Sequence, residues 1–178
     1  NHHDEHGRTP LWTAANMGRD RCVELLLTDP RVDPNQGNEK GQTALWIAAN
    51  LGRNRCIELL LADLRVDPNQ RGENGRSPLW VAANIGKDRC VKLLLADPRV
   101  DPNLVDSLQS FTPLNIAANA GKDGCVELLL ADDRVDVYRA AATGQTPLIS
   151  ACAQLMQFID QVGAPEPPTR CLVLLLKS

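Results

Sequence analysis

Apolar and polar positions follow one pattern that recurs along the chain. From Leu11 to Met17 the apolar residues are Leu11, Trp12, Ala14, Ala15 and Met17, spaced for a short helix. A second set, Cys22, Val23, Leu25, Leu26 and Leu27, covers more than one helical face, which suits a helix packed on a partner and on neighbours to both sides. Thr9 followed by Pro10 predicts an N-cap with proline in the first turn, and Gly18 predicts the C-terminal stop. Asp20, and Asn54, Asp88 and Asp123 at the same position further on, are expected to cap the second helix. The segment Asp29 to Asn35 then holds two Asp-Pro steps. Proline cannot continue a helix, so an extended, turn-rich connection is predicted there.

The unit returns. Gly7-Arg8-Thr9-Pro10-Leu11-Trp12 has counterparts beginning at Gly41, Gly75, Ser110 and Gly144, in steps of 34, 34, 35 and 34 residues. A fixed period of this size means a stack of one supersecondary unit, each burying its apolar face on its neighbours. Five units are expected in a single domain, approximately 4–37, 38–71, 72–106, 107–140 and 141–178. In the first unit seven residues separate Ala15 from Cys22; in the last, nineteen separate Cys152 from Cys171, an insertion of twelve within about 154–169. Its Gly163-Ala164-Pro165-Glu166-Pro167-Pro168 stretch predicts a stiff loop. The insertion either caps the end of the stack or docks a partner.

The recurring Gly-x-Thr-Pro-Leu start, paired alanines, glycine stop, Val-x-Leu-Leu-Leu helix and Val-Asp-x-Asn turn resemble the ankyrin repeat, over nearly the whole chain. The resemblance implies an all-α solenoid of helix-turn-helix units joined by hairpin-like loops. It departs from the family where histidine usually follows Thr-Pro-Leu and ties neighbouring loops together: Trp12, Trp46 and Trp80 stand there, then Asn115 and Ile149. Apolar stacking is expected in place of the hydrogen-bond ladder.

The resemblance also implies a concave binding surface made of hairpin tips and the exposed side of each first helix. By position it includes Glu5, Arg8 and Met17 in the first unit and Glu39, Lys40, Gln42 and Leu51 in the second. Glu73, Asn74, Arg76 and Ile85 follow in the third, and Leu108, Gln109 and Phe111 in the fourth. Asn16, Asn50, Asn84 and Asn119 do not vary between units, which favours a role in the repeat itself, such as bonding loop backbone. The fourth loop, Leu104 to Phe111, is apolar where the others are polar, so Leu108 and Phe111 are expected as exposed anchors.

Composition narrows the chemistry. Aromatic residues are 3% of the 178, so Leu, Val, Ala and Cys must build the core. The net charge of −3, with both signs interspersed, argues against nucleic acid as partner, and no apolar run approaches the roughly 20 residues that span a bilayer. Five of six cysteines (Cys22, Cys56, Cys90, Cys125 and Cys171) share one helix position, and Cys152 replaces an alanine. Six reduced, buried thiols are expected, and with them a reducing intracellular compartment, the cytoplasm by default. The chain opens at Asn1 rather than Met, so it reads as a fragment or processed chain, and organelle targeting stays open.

His2, His3 and His6 cluster at one end, leaving no histidine beyond residue 6 to act as a general base. No C-x-x-C pair and no phosphate-cradling glycine loop occur. Arg31, Arg65, Arg99 and Arg134, each two residues before an Asp, read as loop-ordering charges. The expectation is therefore a non-catalytic scaffold with no cofactor and no metal, binding another protein as a monomer or within a hetero-complex. The alternatives are a permanent structural subunit of a large assembly, or the substrate-recruiting part of a larger enzyme.

Overall fold

The computed structural model describes residues 3–153 and 170–176; the insertion at 154–169 lies outside the described residues. Four helix pairs come in order: α1 (Pro10–Met17) with α2 (Asp20–Leu27), α3 (Ala44–Leu51) with α4 (Asn54–Ala62), α5 (Pro78–Ile85) with α6 (Asp88–Leu95), and α7 (Pro113–Asn119) with α8 (Asp123–Leu130). Helix α9 is described over residues 147–153, and α10 spans Arg170–Leu176. Helices α1, α3, α5 and α7 touch in series as an inner row. Helices α2, α4, α6, α8 and α10 form an outer row behind it.

Local chemistry sets each inner helix. The side chains of Thr9, Thr43, Ser77 and Thr112 accept from the backbone N–H three residues on, at 3.1–3.2 Å. Gly18 ends α1 at φ 66° and donates back to Ala14 and Ala15, a left-handed stop that a Cβ would disfavour. The paired alanines are buried, and the small side chains let the outer row pack close; Leu45, Ile57, Leu60, Leu79, Leu94, Leu114 and Leu129 fill the layer between.

The second helices begin differently from expectation. Asp20, Asn54, Asp88 and Asp123 are first-turn residues; the cap positions hold Arg19, Arg53, Lys87 and Lys122, without a side-chain capping bond. Three of those first-turn side chains instead accept from the thiol of the next pair: Cys56 Sγ to Asp20 at 3.1 Å, Cys90 to Asn54 at 3.2 Å and Cys125 to Asp88 at 3.0 Å. The same geometry corrects the cysteine expectation. Cys56, Cys90 and Cys125 are buried, but Cys22 and Cys152 are exposed. Cys22 is exposed because no described helix pair packs over the first one.

Candidate protein-binding surface

Three kinds of bond tie one pair to the next and so fix the spacing of everything the inner row displays. Arg99 clasps Asp97 through two guanidinium nitrogens, then donates to the Leu61 carbonyl at 2.8 Å and the Val66 carbonyl at 3.1 Å of the preceding unit. Arg65 and Arg134 do the same, reaching Leu27 and Leu95 at 2.8 and 2.7 Å. Each arginine thus satisfies the last-turn carbonyls of the helix behind it, where positive charge also meets the negative end of the helix dipole. Side-chain bonds to these arginines hold the carboxyls of Asp63, Asp97 and Asp132 below the usual carboxylate range. Among the described residues Arg31 pairs with Asp29 alone, and it stands 88% exposed.

Asn35, Asn69 and Asn103 are the second tie. Each donates to the carbonyl of the next unit's arginine at 2.7 Å and accepts an N–H two residues beyond.

The third tie overturns the expectation of apolar stacking. The Trp46 indole N–H donates to the Arg76 carbonyl at 2.9 Å, and that of Trp80 donates to the Phe111 carbonyl at 3.0 Å. Asn115 donates from Nδ2 to the Gln145 carbonyl at 3.2 Å. The loop-to-loop ladder therefore survives with indole and amide donors. Its first rung is missing, since the buried Trp12 Nε1 has no partner among the described residues.

Hairpin loops lie in front of this ladder. Asn38 and Gly72 each donate to a carbonyl four residues on, Gln42 and Arg76, while Asp106 donates to Phe111, five residues on. The extra residue of the fourth loop sits inside that turn, with Ser110 at φ 57° where the other loops have glycine. It also explains the fate of the expected anchors. Leu108 is 63% exposed at the tip, whereas Phe111 is 3% exposed, its backbone N–H held by Asp106 Oδ1 at 2.8 Å. Phe111 is a core residue, not an exposed anchor.

The remaining expected site residues divide by what already holds them. Lys40 pairs with Glu73 at 2.9 Å, and Gln42 donates to the same carboxylate at 3.3 Å, joining neighbouring tips. The Arg8 guanidinium pairs with Asp4 at 2.7 Å and lies 5.8 Å from the Trp12 ring; that of Arg76 lies 4.3 Å from the Trp80 ring. Glu5, Glu39, Asn74 and Gln109 are exposed. Met17, Leu51 and Ile85, at the ends of α1, α3 and α5, are 58%, 38% and 38% exposed, an apolar row rather than packing for the loops.

Beside that row stand residues whose role the repetition alone concealed. The side chains of Asn16, Asn50, Asn84 and Asn119 are half-buried or exposed, and make no hydrogen bond to loop backbone among the described residues. Arg19, Arg53, Lys87 and Lys122 follow each glycine stop, and the stems of the last three cross the glycine of the preceding unit. Their regular place after the stop was the available signal.

The family model described as ankyrin repeats (3 copies) matches residues 1–72, 22–106 and 79–160. The chain belongs to the ankyrin repeat family. A search of curated proteins returned no match. Ankyrin repeats generally mediate protein–protein interaction. Among the described residues no group of three His, Cys, Asp or Glu side chains could hold a metal ion, and no helix is long and apolar enough to cross a membrane. Burial pushes the Cys56 thiol up to about 12 and Cys90 to about 11, so neither supplies a thiolate nucleophile near neutral pH.

An apolar groove of about 750 Å³, lined by Pro10, Ala14, Met17, Cys22, Leu25 and Leu26, lies on the outer side of the first ankyrin pair. Pro10, Ala14, Cys22 and Leu26 are the counterparts of residues that later pairs bury against a predecessor.

Proposed function

We propose that this ankyrin array is a non-catalytic scaffold that binds another protein through the concave face between its hairpin tips and inner helices. One observation carries the reading: Met17, Leu51 and Ile85 form a row of partly exposed apolar side chains, one in each of the first three units, on a framework whose own polar groups are bonded from unit to unit. Apolar anchors on a surface that needs no ordering are what an interface requires, because little conformational entropy is lost on binding. The variable tips, from Glu5 to Gln109, supply selectivity around the row. Buried, high-pKa thiols suit a reducing compartment, which supports an intracellular setting. The array works as a monomer or as one subunit of a hetero-complex, with neither nucleic acid nor cofactor.

The test is capture by chemical cross-linking in extract from the native source, with the chain and its Met17→Asp/Leu51→Asp/Ile85→Asp variant compared. Loss of a specific cross-linked protein with an unchanged melting curve is expected. Equal capture by the two would sink the proposal.

A further inference from the structure

The inner face carries three parallel rows, and their chemistry describes what fits. The amides of Asn16, Asn50, Asn84 and Asn119 recur once per unit without a bond to the repeat's own loops. A donor–acceptor pair kept in the first four units, with no bond to loop backbone among the described residues, matches something periodic in a ligand. The most general periodic feature is peptide backbone, whose N–H and C=O an amide side chain can meet together. Next to it runs the apolar row. Beyond that are Arg19, Arg53, Lys87 and Lys122, none with an ion-pair partner among the described residues. The neighbouring carboxylates of Asp20 and Asp88 each accept a thiol of the next unit and make no ion pair with these cations. Three of them are held by the preceding unit: Arg53 donates from Nε to the Asn16 carbonyl at 3.3 Å while its side chain lies over Gly18, and Lys87 and Lys122 lie over Gly52 and Gly86. A depression of about 320 Å³ opens between Leu51, Gly52, Lys87 and Asp88, at the junction of the apolar and cationic rows.

We infer that this face takes an extended acidic peptide laid across the units, and the inference rests on the scaffold reading above. Packed helices sit about 8–10 Å apart and an extended polyproline II chain advances about 3.1 Å per residue with three residues per turn, so the register is about three peptide residues per unit and every third side chain returns to the same side. One acidic side chain in every three meets the cations, one apolar side chain meets Met17, Leu51 or Ile85, and the backbone between runs along the asparagines. Single-stranded nucleic acid fits less well. The opposite, hairpin margin carries the exposed carboxylates of Glu5 and Glu39, which a continuous polyanion would also meet.

The probe is a fluorescein-labelled peptide with Glu at every third position, Val following each Glu and Ser completing each triplet. Its control has the same composition with all glutamates contiguous, and oligouridylate is the third probe. Fluorescence anisotropy is expected to show the spaced peptide binding at least about tenfold more tightly than the contiguous one. Asn50→Ala/Asn84→Ala should weaken it by about tenfold, since each side chain loses one or two net hydrogen bonds. Arg53→Gln/Lys87→Gln should weaken it severalfold and flatten its salt dependence. Asn50→Asp/Asn84→Asp, nearly isosteric, guards against misfolding: it should keep the melting curve and repel the peptide.

Equal binding of the two peptides, indifference to both asparagine variants, or tighter binding of oligouridylate would each overturn the inference. If that happens while cross-linked capture still depends on Met17, Leu51 and Ile85, the scaffold reading stands and only the peptide is wrong. If capture is also independent of them, both fall.

Discussion

Arg99→Ala against Arg31→Ala separates what an arginine does within its loop from what it does between units. Both arginines clasp an aspartate two residues earlier in the same geometry. Only Arg99, 31% exposed, also donates to Leu61 and Val66 of the unit behind; Arg31 is 88% exposed. Losing the loop pair at an exposed site costs between nothing and about 1 kcal/mol. The added charge-assisted bonds, to Leu61, Val66 and, at 3.4 Å, Leu64, together contribute about 2–3 kcal/mol net, because the carbonyls left behind regain only part of their bonding from water. Arg99→Ala should therefore cost about 2–3 kcal/mol more than Arg31→Ala, or about 5–10 °C in melting temperature for a chain of this length. Urea denaturation followed by far-ultraviolet circular dichroism measures both, and the slope reports whether unfolding of the array remains cooperative. A difference under about 0.5 kcal/mol would show that these bonds do not hold the units together.

Other outcomes follow from the same contacts. Trp80→Phe removes the donor to the Phe111 carbonyl and should cost about 1–2 kcal/mol, whereas Trp12→Phe removes a donor that has no partner and should cost clearly less, both read from thermal melts. Ser110→Gly relieves a left-handed residue at φ 57° and should stabilise by about 0.5–1 kcal/mol; destabilisation in the same melt would contradict the strain argument. Site-resolved thiol labelling of the native chain should modify Cys22 and Cys152 rapidly and leave Cys56, Cys90 and Cys125 unmodified until unfolding. Because Asp63, Asp97 and Asp132 have lowered folded-state pKa values, their stabilisation is fully present above about pH 4. It should fade as pH falls from there, and Asp97→Asn should flatten that loss in acid-dependent melts.

Much of the fold is legible in the residues because its determinants are local. A threonine before Pro10, a glycine after Met17 and two Asp-Pro steps act within one turn, so their meaning does not depend on what lies beyond. Relations between units were harder to read. Asp20 resembles a cap, and only the approach of Cys56 from the next unit makes it an acceptor instead. Tryptophan reads as an apolar residue, yet its N–H reaches a carbonyl thirty residues away. Phe111 lies in a loop that reads as exposed, but the extra residue there forms the tip, with Leu108 exposed, and returns Phe111 to the core. The candidate face was half legible. Position within the unit locates its members, while the repeated asparagines read as structural and make no bond to loop backbone among the described residues.

The scaffold account is tested most directly by hydrogen–deuterium exchange on the array in complex with its cross-linked protein partner. It predicts new protection at the hairpin tips and at the ends of α1, α3 and α5, around Met17, Leu51 and Ile85, with the exposed side of α2, α4 and α6 unchanged. Protection confined to that outer side, with the inner face exchanging as in the free chain, would contradict it.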